Sequence, residues 1–205
     1  MSKVTIVGAT GNVGTFSAHT LASIPYVHEI LLHGRAGREN LLCGITQDLI
    51  DSFAASGQAV DLSWTTDLED ARDSDVVVCT AGVPRRPGQD RLDLALENAR
   101  IVAGTARVIG ECAPHAMILM VTNPVDVMTS VALKYSGMQP NQVFGLGTHL
   151  DSMRLKSLIA THFRVHVSEV HTRIIGEHGE SMVPLWSATT IGGIQISNLP
   201  AFSRL

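Results

Sequence analysis

Three side chains in this sequence are suited to moving a proton beside a bound anion: His178, Asp151 and Arg154. An imidazole exchanges a proton near neutral pH, a carboxylate can hold one ring nitrogen, and a guanidinium grips a carboxylate through two parallel hydrogen bonds. His178 stands in Gly176-Glu177-His178-Gly179-Glu180-Ser181, where the glycines mark a turn. Asp151 and Arg154 fall at i and i+3 of a helix-like stretch over 150–163, on one face. The trio suits oxidation of a secondary alcohol next to a carboxylate. His178 takes the hydroxyl proton, Asp151 fixes the ring tautomer and stabilises the imidazolium, and Arg154 anchors the carboxylate.

Such an oxidation needs a hydride acceptor, and the N-terminus offers a place for one. The β-branched run Val4-Thr5-Ile6-Val7 leads into Gly8-Ala9-Thr10-Gly11-Asn12-Val13-Gly14, and an amphipathic stretch follows as far as Ile24. Strand, glycine turn and helix in that order form a dinucleotide site. Gly8, Gly11 and Gly14 let the backbone approach a pyrophosphate, with Thr10, Asn12 and Val13 between them, and the helix start supplies N–H groups. The spacing is GxxGxxG, one residue off the usual fingerprint. In NAD sites an acidic residue about 20 positions further on holds the ribose hydroxyls. Here that position carries Gly34-Arg35, whose guanidinium could accept a 2′-phosphate, so NADP or dual use with NAD is expected. The plainer alternative is that Arg35 is a solvated loop residue.

Further short apolar runs at 29–32, 76–79 and 117–121 alternate with helix-like stretches at 40–55, 92–112 and 125–135. This rhythm predicts an α/β fold, a Rossmann-type doubly wound parallel sheet covered on both faces. After about residue 148 the rhythm changes. A helix over 150–163, a strand at 171–175 and part of an antiparallel hairpin at 191–196 predict the start of an α+β substrate domain. The expected organisation is a dinucleotide-binding domain over 1–148 and an incomplete catalytic domain over 149–205. The loop 81–91, rich in Gly, Pro and Arg, follows a strand end, where ligands bind in open α/β sheets, and could close over a substrate. Asn123 ends another strand on the same side and could bond the substrate or the nicotinamide ribose.

Composition narrows the partners. With 45% hydrophobic and 17% charged residues, the 205-residue chain can bury a sizeable core. A net charge of −4 leaves no basic footprint for nucleic acid. Cys43, Cys79 and Cys112 are odd in number and scattered, which fits a reducing compartment rather than a disulfide framework or a zinc site. Cys79 closes the run Val76-Val77-Val78 and reads as core rather than nucleophile. No apolar run approaches membrane-spanning length, and Met1-Ser2-Lys3 runs straight into a strand. A cytoplasmic, soluble protein without a bound metal is expected.

Together the segments GATGNVG, AGVPRRPGQDR, VTNPVDVMT, VFGLGTHLDSMRLK and RIIGEHGESMVP, spanning residues 3–196, resemble the lactate/malate dehydrogenase family, most nearly its archaeal-type malate dehydrogenases. The resemblance implies that His178 is the proton acceptor and donor, Asp151 its partner and Arg154 the carboxylate anchor, with Arg91 polarising the reacting oxygen. The implied cofactor site also takes in Asn98, Val121 and Asn123. At the position of Arg85 the family separates its substrates, a neutral residue going with lactate and an arginine with malate, whose second carboxylate needs a cation. Some archaeal-type members share Gly-Arg at the ribose position and use NADP. Family members form homodimers or homotetramers and extend well past residue 205, which implies a C-terminally shortened chain. Lactate dehydrogenase is the alternative within the family, and a catalytically silent dinucleotide-binding module is the alternative outside its chemistry.

Overall fold

A computed structural model describes residues 2–84 and 91–200, with the side chains of 91–93 excluded. The chain divides into two compact units, Met1–Gly145 and Leu146–Leu205.

The first unit is built on six parallel strands: β1 (Ser2–Val7), β2 (Val27–His33), β3 (Asp61–Thr65), β4 (Val76–Cys79), β5 (Met117–Met120) and β6 (Val143–Gly145). Their spatial order is β3-β2-β1-β4-β5-β6, so the chain reverses direction across the sheet between β1 and β4. Helices α1 (Asn12–Leu21), α2 (Glu39–Ser56), α3 (Arg91–Cys112) and α4 (Val125–Ser136) connect them. The doubly wound architecture expected from the alternating runs is therefore observed. Because both faces are covered, β1 and β4 bury consecutive residues, Val4–Val7 and Val77–Cys79, rather than alternate ones. Ile6, Ile30 and Leu32 pack with Leu42 and Phe53 of α2 in one core. Val77, Ile118 and Met120 pack with Val102, Ile109 and Met128 of α3 and α4 in the other. Cys79 belongs to this second core, and burial pushes its thiol up to about 11, so it is an inert packing group as the sequence suggests.

Two strands escape the periodicity argument. In β3, Asp61, Ser63 and Trp64 are exposed and the strand lies at the sheet edge, which leaves no continuous apolar run. β6 is only three residues long. At the other end α1 stops at Leu21, short of the expected Ile24.

The second unit opens with α5 (His149–Phe163), followed by β7 (Val170–His171), β8 (Ile174–Ile175), β9 (Val183–Pro184), β10 (Thr190–Ile191) and β11 (Ile194–Gln195). The strand expected over 171–175 is in fact two. β7 pairs with β10 in the three-stranded sheet β11-β10-β7, while β8 pairs with β9 in a separate hairpin. The segment serves two sheets, and its local apolar content does not reveal the break. The antiparallel pairing of β10 with β11 matches the expectation for 191–196. Ile159, Val170, Ile191 and Ile196 form this unit's own core. No helix among the described residues is long and apolar enough to cross a membrane.

The contact between α3 and α4 depends on one missing side chain. A Cβ at Gly110 would collide with the backbone carbonyl of Ser136 at the end of α4, whereas a Cβ at Gly104 on the same helix meets nothing within 4 Å. Gly→Ala in a helix interior ordinarily gains about 0.5–1 kcal/mol, but overpacking against backbone costs about 1–3 kcal/mol. In urea unfolding, Gly104→Ala should therefore raise the midpoint and Gly110→Ala should lower it. A stabilising Gly110→Ala would refute this account of the contact.

Candidate active site

In the first unit the turn Gly8–Gly14 sits at the carboxyl end of β1, beside the reversal of strand order where α/β sheets bind ligands. The chain holds the turn from both sides. The carbonyl of His33, at the end of β2, accepts the amides of Gly8 and Ala9 at 3.0 Å each. Thr80, just past β4, donates its hydroxyl to the carbonyls of Val7 at 3.0 Å and Gly8 at 3.2 Å. Thr15 of α1 donates to the carbonyls of Ala9 and Gly11. Neither threonine is singled out by sequence reasoning. Their only signal is a hydroxyl within a few residues of a glycine turn or strand end.

The three glycines answer different demands. Gly8 has φ +91°, and a Cβ there would lie 2.7 Å from the Ala81 amide nitrogen. A Cβ on Gly14 would meet the Gly8 carbonyl oxygen at 2.6 Å, so both residues are required by the protein's own packing. Gly11 is different. A Cβ there would touch only the Gly8 oxygen, at an ordinary 3.5 Å. The fold does not need a glycine at 11, although a ligand lying against the backbone would. Gly11 is also the N-cap of α1, which has no side-chain cap and no acidic residue in its first turn. The amides of a helix start are therefore offered without a competing side chain, at the positive end of the helix dipole. Around them Thr10 is half-buried, while Asn12 and Val13 are exposed.

Gly34 and Arg35 follow β2 at the same end of the sheet, with Gly34 buried and Arg35 exposed. A Cβ at Gly34 would come within 2.8 Å of the buried Leu42, so α2 packs where a side chain would stand. Burial holds the His33 imidazole below its ordinary value, outweighing a backbone hydrogen bond at Thr66 and the carboxylates of Asp67 and Asp70. The ring is thus uncharged near neutral pH.

Asn98, on α3, is 2% exposed and its amide is spent within the chain. Its Oδ1 accepts the Val83 amide at 2.8 Å, and its Nδ2 donates to the Asn123 carbonyl at 2.8 Å. It therefore ties together the loops that follow β4 and β5. Val121 is half-buried and donates its amide to Cys79, and Asn123 is exposed ahead of Pro124. Arg85 lies outside the described residues. Arg91 opens α3, and its side chain is likewise outside them.

The second unit brings His178, Asp151 and Arg154 together. Asp151 lies in the first turn of α5 with its side chain 8% exposed, and both of its oxygens are engaged. Oδ2 is 2.5 Å from His178 Nδ1, and Oδ1 is 3.1 Å from Arg154 Nη1. A carboxylate only accepts, so Nδ1 must carry the hydrogen, and in the neutral ring Nε2 becomes the basic nitrogen. Arg154 is far more exposed, 64% of its side chain, and one bond to Asp151 uses one of five guanidinium donors. The loop bearing His178 turns at Gly176, φ +99°, and Ser181 closes it by donating to Glu177 at 3.1 Å. Such an arrangement can accept a proton, stabilise the resulting imidazolium and hold an anion at a neighbouring cation. Among the described residues no group of His, Cys, Asp and Glu could hold a metal ion.

Residues 2–145 match the lactate/malate dehydrogenase NAD binding domain, and residues 148–203 match the lactate/malate dehydrogenase alpha/beta C-terminal domain. A malate dehydrogenase of Methanothermobacter thermautotrophicus is 54% identical, over 96% of this chain and 60% of its own length. An L-2-hydroxycarboxylate dehydrogenase (NAD(P)(+)) of Methanocaldococcus jannaschii is 49% identical, over 99% of this chain and 65% of its own. Among solved structures, Cryptosporidium parvum malate dehydrogenase superposes with a TM-score of 0.91 at 33% identity, covering 100% of this chain and 64% of that one. This chain thus spans less than two thirds of the length of these relatives. With both family models matched and the fold shared at this level, the chain belongs to the lactate/malate dehydrogenase family.

Proposed function

We propose that this protein interconverts malate and oxaloacetate with NAD or NADP, and that His178, Asp151 and Arg154 carry the chemistry. One observation supports this above the others: a buried carboxylate whose two oxygens hold an imidazole at 2.5 Å and a guanidinium at 3.1 Å. In the oxidising direction His178 Nε2 takes the hydroxyl proton while the C2 hydrogen departs with its electron pair and the C–O bond becomes a carbonyl. A nicotinamide cofactor, when bound, supplies the acceptor for that hydride. Asp151 keeps the ring in the tautomer with a basic Nε2 and stabilises the imidazolium once the proton has moved. Arg154 holds the substrate carboxylate with its remaining donors, and Arg91 polarises the oxygen. Arg85 meets the second carboxylate, which would be costly to bury unpaired. Asn123 contacts substrate or the cofactor ribose, and Asn98 and Val121 shape the cofactor site. The names of the relatives support malate over lactate, although a Bifidobacterium animalis L-lactate dehydrogenase is also 40% identical. The full protein would assemble as a homodimer or homotetramer and work in the cytoplasm.

Residues Gly8–Gly14 take the pyrophosphate in this reading. The Gly34-Arg35 pair, and the NAD(P) usage in the name of the Methanocaldococcus relative, support NADP beside NAD.

The 205-residue chain should oxidise NADH or NADPH only when oxaloacetate is present, and His178→Asn should lower kcat by about 10²–10⁴-fold with cofactor affinity unchanged. Cofactor binding without turnover would instead favour the silent module, and turnover of pyruvate but not oxaloacetate the lactate reading.

Gly11→Ala should weaken dinucleotide binding at least about tenfold in calorimetric titration, because its methyl lies where the pyrophosphate approaches. The same variant should leave the urea midpoint nearly unchanged, and unchanged affinity would remove the phosphate role.

Arg35→Ala should raise the Kd for NADPH by about 10-fold and leave that for NADH within about twofold, since only the former carries the phosphate. Equal losses for the two cofactors would exclude the 2′-phosphate contact.

A further inference from the structure

The hairpin that carries His178 has an edge that its own partner strand cannot satisfy. The Leu185 amide donates to the Arg173 carbonyl at 2.8 Å, so the next residue along, Ile174, turns its N–H and C=O away from β9. Groups in that position need partners, because an unpaired buried backbone donor or acceptor is costly. They find them on the first turn of α5. Ser152 Oγ accepts the Ile174 amide at 2.8 Å, and Thr148 Oγ1 donates to the Ile174 carbonyl at 2.6 Å. Ser152 donates its own hydroxyl to the Thr148 carbonyl at 2.9 Å, which closes the circuit with both hydroxyl hydrogens placed. Ser152 is 1% exposed, so there is no room for water to substitute.

The positions of these contacts give them their meaning. Thr148 and Ser152 flank Asp151 on one helical turn, and Ile174 precedes His178 by four residues with the Gly176 turn between. We propose that Thr148 and Ser152 act as a hydroxyl clamp that sets the reach between the His178 loop and Asp151, making both of them positioning residues for the proton-transfer pair. The proposal rests on the dehydrogenase reading of that pair. A shift of the loop by about 1 Å is enough to cost about 10²-fold in rate, so two hydroxyls that fix its register can govern turnover without touching substrate. Sequence reasoning stops at Asp151 and Arg154 in this segment, because Ser and Thr at i and i+4 of a helix look like ordinary polar positions.

The test uses the 205-residue chain labelled with ¹⁵N-histidine and ¹⁵N-tryptophan, and the variants Thr148→Val, Thr148→Ser, Ser152→Ala and His178→Asn. The ring Nδ1–H of His178, assigned by its loss in His178→Asn, reports the bond to Asp151, and the Trp186 indole reports the fold of this unit. Thr148→Val and Ser152→Ala should speed exchange of the ring proton at least about tenfold with the indole signal in place, and Thr148→Ser should keep the parent rate. In the oxaloacetate assay the two damaging variants should lose about 10- to 100-fold in kcat, with KM within about threefold of the parent. Parent-like ring exchange in Thr148→Val and Ser152→Ala would overturn the clamp, as would a Thr148→Ser variant as impaired as Thr148→Val. If Thr148→Val disturbs the indole signal, Ser152→Ala against Thr148→Ser decides the matter. A parent chain without turnover, whose ring proton still answers to these substitutions, would overturn the dehydrogenase reading and leave the clamp standing.

Discussion

A carboxylate taken out of water must be paired, and the second unit of this protein is arranged around the pairing of Asp151. Leaving such an anion uncompensated costs several kcal/mol, and removing one partner of a buried pair is correspondingly damaging. Asp151 meets that demand with two different partners, an imidazole on one oxygen and a guanidinium on the other. Exposure rises outward through the trio, from 8% for the aspartate side chain to 27% for the histidine and 64% for the arginine. The carboxylate thus lies deepest, the imidazole lies between, and the guanidinium lies nearest to water. This order leaves the imidazole partly open to the outside while its Nδ1 stays held by the carboxylate.

Backbone geometry governs the nucleotide half. Gly8 and Gly14 are glycines because the turn packs on Ala81 and on itself, and Gly11 is a glycine although nothing in the chain crowds it. Gly11 differs from them in standing at the start of α1, where the helix amides are exposed to a ligand. The same comparison separates Gly110 from Gly104 on α3, where only one of two helical glycines is needed by its neighbour. Which glycines the packing requires is decided by the surrounding atoms and not by their spacing.

Much of the architecture was legible in the order of apolar runs. The strands β1, β2, β4 and β5 and the helices α2 to α5 fall where the order of apolar runs placed them, and α1 does so but for its last turn, because strands buried on both faces read as continuous apolar stretches. β3 was hidden by its exposed edge, with Asp61, Ser63 and Trp64 facing out, and β6 by its length. The break between β7 and β8 had no local sign at all. Val170–His171 and Ile174–Ile175 differ in the strand each one meets, and that choice is made some ten to twenty residues further along the chain.

By itself the sequence determined which chemistry was available: an imidazole in a glycine turn, an aspartate and an arginine one helical turn apart, and a glycine-rich bend after a β-branched strand. Those are properties of residue type and short spacing, which survive without a fold. Only the tertiary structure decided that Asp151 spends both oxygens, that Asn98 holds two loops rather than standing open, and that Thr148 and Ser152 fasten Ile174. Apart from the Asp151–Arg154 pair within α5, these contacts join residues separated by 15 to 27 positions and tie helices to loops or strands. Which hydroxyl or amide finds which partner depends on how helices and strands pack, because hydrogen bonds require a distance and an angle that local sequence does not specify.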